Sequence, residues 1–485
     1  MPRFDTVIRG GHVLIESTTD PVTASIGISD GRVVAICEDI PASQADEVID
    51  ARGKLVLPGA VDSHVHLGIY RSVSEDVESE TVSAAVGGTT SVLSYFRTGH
   101  HYLDRSGPYR EIFPEVLRAS AGQAHVDFGY HLAPMTNTHI DEMEWLVTDM
   151  GVTSFKFFWS YVGAQMDPES ESYDGGFAYR LMERVAELNR RHGHAGRISL
   201  SVHCEDAELI ALFQGRAESA GPRPLDQYST SRPALGEALS VHKTALMSAA
   251  TGAPVNLLHL SSHEAAAALT EARGLRPAAD LRGETAAHYL LLSDATGMSA
   301  HAKVNPPVRH GADAEALWSA IGDGRIDWIG SDHCCAMAEH KGGTVWDAVP
   351  GFGGAALMLP VLMSEGHLKR GLPVGRIVEL VSRNPAKAFG CYGAKGRIGL
   401  GADADLVIFD RSVQRTVTPE LLHSAQDHSP YAGLTVQGWP VRTLLRGHTV
   451  ALDGQPVGQP VGRYLARPLQ AEPPQIHGHE KGGLD

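Results

Sequence analysis

Two histidines one residue apart close the run Leu57-Pro-Gly-Ala-Val-Asp-Ser-His-Val-His66. Alternate side chains of a strand share a face, so His64 and His66 would point the same way. Two imidazoles on one face at a strand end can grip a divalent metal. The spacing is common, and two polar loop residues would read the same. The choice depends on whether the chain supplies the missing ligands.

Four further strand candidates do so. Lys156 stands in Ser-Phe-Lys-Phe-Phe-Trp, His203 in Ser-Val-His-Cys-Glu, His259 in Leu-Leu-His-Leu-Ser-Ser and Asp332 in Ile-Gly-Ser-Asp-His. A lysine inside an aromatic run is unusual, because a buried ammonium is costly unless paired or chemically altered. A carbamate made from neutral lysine and carbon dioxide would turn that cation into a bridging anion. Four histidines, a carboxylate and a carbamate complete a site for two divalent metals. Such a pair lowers the pKa of a bridging water and polarises a carbonyl. Asp332 is then placed as general base and, in turn, general acid to a leaving nitrogen.

The elements that must position these residues read as strands alternating with helices. Strands are expected at Leu55–His66, Thr89–Phe96, Val126–Ala133, Thr153–Trp159, Ile198–His203, Val255–Leu260, Glu284–Leu292 and Asp327–Asp332. Helices are expected at Ser74–Val86, Glu142–Thr148, Ala178–His192, Leu239–Thr251 and Ala312–Ile321. Eight strands alternating with helices indicate an α/β protein, a (β/α)8 barrel of the TIM type, whose chemistry sits at the carboxyl ends of its strands. Phe4–Arg9, His12–Glu16, Ser25–Ser29 and Arg32–Glu38 form a small all-β piece, and β texture returns from Gly396. The two ends are expected to close one β-sandwich. The division is 1–56 with 396–465 for the sandwich, 57–395 for the barrel and 466–485 for a flexible tail. His477 and His479 repeat the His-x-His spacing with no strand before them and read as tail residues.

At 485 residues the chain exceeds one ordinary core. A net charge of -16 argues against a nucleic-acid surface and offers no polybasic membrane anchor. The first residues lack a signal-peptide core, and no run approaches the roughly 20 apolar residues of a membrane helix. Five irregularly spaced cysteines argue against a disulfide framework. The expected location is cytoplasmic. Cys204, Cys334 and Cys335 are read as packing residues.

Taken together, the motifs resemble the cyclic-amidohydrolase branch of the amidohydrolase superfamily: hydantoinases, dihydropyrimidinases, allantoinases and dihydroorotases. The resemblance rests on Pro58-Gly-Ala-Val-Asp-Ser-His-Val-His, Phe155-Lys-Phe-Phe, Val202-His-Cys-Glu, His259-Leu-Ser-Ser, Glu284-Thr-Ala-Ala-His-Tyr-Leu, Asn305-Pro-Pro-Val-Arg, Ser331-Asp-His-Cys, Asn384-Pro-Ala-Lys and Gly401-Ala-Asp-Ala-Asp-Leu-Val. It implies a binuclear zinc site bridged by carboxylated Lys156. His64, His66 and Asp332 would hold one metal, His203 and His259 the other. It also implies hydrolysis of a cyclic amide or imide by a homotetramer.

The same resemblance places Tyr161, five residues after the lysine, as a hydrogen-bond donor to the substrate oxyanion. Leu67, Ile69, Tyr70, Phe158 and Trp159 would supply the apolar wall, and Asn305 a substrate contact. Asn305 stands where dihydroorotases often have Asn. Val345-Trp346, Val349-Pro-Gly-Phe-Gly-Gly and His428-Ser-Pro-Tyr-Ala-Gly look more like allantoinase. Arg71 falls near the arginine of dihydroorotases, and the Thr98–Asp104 insertion has no assigned role. The expected substrate is a hydantoin- or dihydropyrimidine-like ring. The alternatives are allantoinase or another cyclic amidase and, in another class, a non-catalytic tetrameric scaffold.

Overall fold

The computed structural model describes residues 3–16, 18–161, 165–170, 173–193, 196–219, 225–294 and 299–468. His477 and His479 therefore lie outside the described residues. In chain order the first strands are β1 (Phe4–Val13), β2 (Val22–Ser29), β3 (Arg32–Cys37), β4 (Ala45–Asp50) and β5 (Leu55–Pro58). The next group is β6 (Ala60–His66), β7 (Thr89–Phe96), β8 (Asp127–Leu132), β9 (Ser154–Phe158) and β10 (Ser199–His203). It continues with β11 (Val255–Leu257), β12 (Leu281–Ala286), β13 (Trp328–Gly330) and β14 (His333–Cys334). The last four are β15 (Leu406–Thr416), β16 (Thr435–Leu445), β17 (His448–Leu452) and β18 (Gln455–Pro456).

β1–β5 and β15–β18, from opposite ends of the chain, form one nine-stranded sheet. Its β3 edge hydrogen-bonds to the segment leading into β15, through Val33 N to Ala402 O and Gly401 N to Val33 O. The sheet thus curls around a single apolar cluster that includes Ile8, Ile26, Val33, Leu406 and Leu444. Phe4–Arg9 and His12–Glu16, expected as separate strands, are joined through Gly10-Gly11 as a bulge inside one continuous β1 that ends at Val13.

The expected strand Leu55–His66 is also two strands. β5 pairs with β15 in the curled sheet, and β6 begins the barrel. Gly59 makes the transfer. A Cβ there would collide with Thr90 of β7, and its N–H donates to Asp405 O at 2.8 Å.

The barrel strands run in parallel order from β6 to β13, and β14 returns to β6. β13 and β14 are one interrupted eighth strand: Glu284 pairs with Trp328 on one side, His333 with Val65 on the other. The interruption is Asp332, which has left-handed φ of 51°. The seventh strand starts at Leu281 and stops at Ala286, displaced from the expected Glu284–Leu292, whose second half is a 3-10 turn.

Helices pack outside the ring. α1 (Val73–Val86) starts at a Ser72–Glu75 capping box, which satisfies backbone donors that a helix start leaves open. α2 (Tyr109–Ser120), α3 (Asn137–Thr148), α4 (Gly175–His192), α5 (Ala207–Ser219), α6 (Leu225–Ser231) and α7 (Ala234–Thr251) follow. Then come α8 (His263–Leu275) and α9 (Gly311–Gly322). Ala466–Pro468, expected to open a flexible tail, pack on the barrel instead. Arg467 is buried, and its Nη1 donates to Ser154 Oγ at 3.0 Å.

Candidate metal centre

His64 and His66, both on β6, present Nε2 atoms 3.2 and 3.3 Å from one oxygen, Asp332 Oδ1. The i, i+2 spacing therefore does put both rings on one face. His64 is fully buried, and its Nδ1 lies 2.6 Å from Glu284 Oε1. Glu284 also accepts from Trp328 Nε1 at 2.7 Å, Ser63 Oγ at 3.3 Å and His259 N at 3.3 Å.

His259 follows β11 and meets the His64 ring at 5.2 Å and the His203 ring at 4.5 Å between centroids. His203 ends β10. Its Nε2 lies 2.7 Å from Glu205 Oε2, which leaves Nδ1 for a ligand. Arg232 grips Glu205 with two bonds of 2.9 and 2.7 Å. The Arg232 guanidinium and His203 hold the buried Glu205 carboxyl well below its ordinary range.

Lys156, in β9, is buried, with Nζ 4.2 Å from the Tyr95 ring centroid and 4.8 Å from that of Phe158. Burial drives its amine well below the ordinary lysine value, although Asp332 and Glu284 pull the other way. Burial likewise raises Glu284. Desolvation pushes His64 and His259 far down, which favours the neutral imidazole that a metal needs.

The donor set fits a metal on its own terms. His64 Nε2 and His259 Nδ1 are buried without a hydrogen bond. His64, His66 and Asp332 converge within 4.8 Å. His259 and Asp332 are non-glycine residues at φ of 36° and 51°, conformations that persist only where surroundings enforce them.

A cavity of about 410 Å³ opens over this cluster. Tyr161, Asn305, Tyr70, Ile69 and Phe158 line it. Asn305 Nδ2 donates to the Tyr161 hydroxyl at 3.4 Å, and Tyr228 donates to Asn305 Oδ1. Tyr70 contributes its ring; its hydroxyl is committed to Pro350 O at 2.9 Å.

Two expected wall residues do not line the cavity. Leu67 is buried, with its N–H donating to Ser94 Oγ at 2.9 Å. Trp159 packs on Phe157, and its indole donates to Thr244 Oγ1 at 2.8 Å. Within β9, period-2 alternation puts Lys156 and Phe158 inward and Phe157 and Trp159 outward. Cys334, read as packing, lines the cavity, whereas Cys204 turns to Thr244 on the other face. Arg71 is spent on Asp76 at 2.9 Å and Glu80 at 3.7 Å and does not line the cavity.

The Thr98–Asp104 insertion has a definite place. Tyr102 OH lies 3.1 Å from His66 Nδ1, and His101 meets Tyr70 edge-on at 5.4 Å. Glu284, Glu205, Arg232, Tyr102 and Tyr228 were not singled out from sequence as site residues. Glu284 and Glu205 do sit inside the quoted motifs; nothing local marks Tyr102, Tyr228 or Arg232.

A closed parallel barrel that carries imidazoles, a lysine and a carboxylate at its strand ends is the architecture of a metal-dependent hydrolase. The model of the amidohydrolase family matches residues 55–450. The chain belongs to that family. It is 34% identical over 469 residues to an allantoinase of Rubrobacter xylanophilus, covering 96% of this chain and 98% of that one. It is 30% identical over 477 residues to a D-hydantoinase of Geobacillus stearothermophilus, covering 95% and 96%. The crystal structure of a dihydropyrimidinase from Brevibacillus agri superimposes with a TM-score of 0.85 at 30% identity, over 96% of this chain and all of that one.

Proposed function

We propose that the protein hydrolyses the amide bond of a cyclic ureide or imide, a hydantoin- or dihydropyrimidine-like ring. The observation that carries this reading is that Tyr161 and Asn305 line the same cavity as His66, Lys156, His203, His259 and Asp332, with the buried His64 3.2 Å from Asp332. His64, His66 and Asp332 would hold one zinc ion, His203 and His259 a second, and carboxylated Lys156 would bridge them. Bound divalent metal supplies an acidified water and polarises the ring carbonyl.

The side chains account for the remaining chemistry. Tyr161 donates its O–H to the oxygen that becomes negative as water attacks the carbonyl carbon. Asp332 takes the water proton and returns it to the ring nitrogen as the carbon–nitrogen bond breaks, giving a carboxylate and a free ureido or amide end. The depressed basicity of Lys156 supports the carbamate, because only the neutral amine adds carbon dioxide. Glu205–Arg232 and Glu284 fix the tautomers of His203 and His64.

The same reading makes the protein a cytoplasmic homotetramer. No helix among the described residues is long and apolar enough to cross a membrane. Leu235, Leu239 and Leu246 on α7 are 61%, 48% and 57% exposed on one face, which supports association. The curled sheet and the barrel are read as two domains that part at Gly59.

Allantoin hydrolysis is a second reading, favoured by the 34% identity to an allantoinase and by the Pro350–Gly354 segment beside the cavity. Purified protein assayed on 5-substituted hydantoins, dihydrouracil and allantoin separates the two. Turnover of allantoin alone overturns the hydantoin assignment. No turnover of any ring, with no bound metal, points to the scaffold alternative.

A further inference from the structure

The outer part of the cavity holds a cation with no ion-pair partner among the described residues. Arg97, the first residue after β7, is half-buried and lines the cavity. Its Nη1 donates to Thr98 O at 3.1 Å and Met166 O at 2.9 Å. Its guanidinium carbon lies 5.9 Å from the Tyr102 ring centroid. These contacts hold the group in one orientation. Nε and Nη2 have no hydrogen-bond partner among the described residues.

The Asp167 carboxylate makes no ion pair with it and turns to other donors. Asp167 Oδ2 accepts the Thr98 hydroxyl, and Oδ1 accepts the Ser106 hydroxyl at 2.6 Å and Glu169 N at 3.0 Å. Among the described residues, Asp332 is the one acidic group that lines the cavity, and it lies against His64 and His66. Tyr102 spans the interval between the two regions: its ring faces Arg97 and its hydroxyl reaches His66. A substituent on a ring seated at the metal ligands would therefore extend toward the guanidinium.

We propose that Arg97 binds a carboxylate on the side chain of the substrate ring, through the free Nε and Nη2 of its guanidinium. The substrate class is then a cyclic ureide or imide with an anionic substituent. This rests on the ring-hydrolysis reading above. The Nε–Nη2 edge matches the two oxygens of a carboxylate, and a half-desolvated guanidinium strengthens such a bond. A neutral apolar substituent would leave the cation unpaired next to it.

The test compares two rings of equal size in the metal-loaded protein, hydantoin-5-acetate and its neutral isostere hydantoin-5-acetamide. Wild type is expected to favour the acid roughly tenfold or more in kcat/KM, through KM. In Arg97→Gln the ratio of acid to amide should fall toward one, and Arg97→Lys should lie between. Calorimetric binding of the ring-opened probes, N-carbamoyl-aspartate and N-carbamoyl-asparagine, should show the same preference and the same loss. Equal use and equal binding of both partners by wild type overturns the proposal without need of a variant. So does a ratio that Arg97→Gln leaves intact. If neither ring is opened but the binding preference is present and lost in Arg97→Gln, the hydrolytic reading falls and the carboxylate site stands. If both rings are opened without preference, the reverse holds.

Discussion

Glu284 Oε1 lies 2.6 Å from His64 Nδ1, and the same carboxyl receives the Trp328 indole N–H at 2.7 Å. Burial, with Asp332 beside it, raises this carboxyl against the pull of the Trp328 and His259 donors and of Lys156. Its contact with Nδ1 leaves Nε2 as the His64 nitrogen free for metal. Glu284→Gln should weaken metal binding about tenfold to a hundredfold, the usual effect of losing a ligand's hydrogen-bond partner. Competition with a chelator measures this; unchanged affinity would sink the assignment.

Lys156→Ala should remove most bound metal and activity, read by elemental analysis of purified protein. In wild type, the proposed carbamate would require the neutral amine. Burial lowers the amine's pKa, so metal loading in bicarbonate should fall as pH drops through a midpoint well below the ordinary ~10.4. A midpoint at the ordinary lysine value contradicts the bridging role.

Tyr161→Phe deletes one hydroxyl and keeps the ring against Phe158 at 5.8 Å. The loss should fall on kcat, roughly a hundredfold to a thousandfold, as for removal of one oxyanion donor. A change confined to KM would make Tyr161 a binding contact only.

Glu80 Oε2 lies 2.8 Å from His333 Nε2, both buried just after Asp332, while His333 Nδ1 accepts from Gly354 N and Ala355 N at 3.0 and 3.1 Å. Glu80 also accepts from Ser424 Oγ at 2.5 Å and Ala425 N at 3.0 Å, which ties α1 to the loop after β15. His333 and its other partners lower the Glu80 carboxyl from 4.5 to about 2. A depressed carboxylate contributes stability that is complete above the unfolded value and lost as pH falls from 4.5 toward about 2. Glu80→Gln should cost about 1.5–3 kcal/mol in urea unfolding near neutral pH, the scale of a buried hydrogen bond to a charged group, and flatten the acid limb. A loss below about 1 kcal/mol would mean that the pair is screened like a surface bridge.

Much of the centre is legible because six candidate ligands of three types stand on barrel strands or at their ends, where alternation and barrel topology fix direction. His203 and His259 needed only the strand frame. Trp159 was misassigned although alternation already separated it from Lys156, since the resemblance to apolar pocket loops was weighed above the strand period. Asp332 could be named as a ligand, but not the break in its strand, because no glycine marks a left-handed residue there. Tyr102 and Arg232 act across more than 20 residues of sequence, as the 36-residue separation of Tyr102 from His66 and the 27-residue one of Arg232 from Glu205 show. Contacts of that kind leave no local pattern. Arg467 was read as tail for the same reason; its partners Ser154 and Tyr130 lie over 300 residues away.

The interrupted eighth strand has a consequence for assembly. β6 and the β13–β14 pair are the first and last staves of the ring, joined by the short β14 pairing at His333 and Cys334 and by Ser331, whose N–H donates to Asp62 Oδ1 at 3.0 Å. His64 and His66 sit on one stave and Asp332 in the gap of the other, so a cation held by all three is a clasp across the seam. Hydrogen exchange at Val65 and Cys334 should therefore quicken on metal removal far more than at the β9–β10 pairing opposite, making the cofactor a latch for the barrel as well as its chemistry.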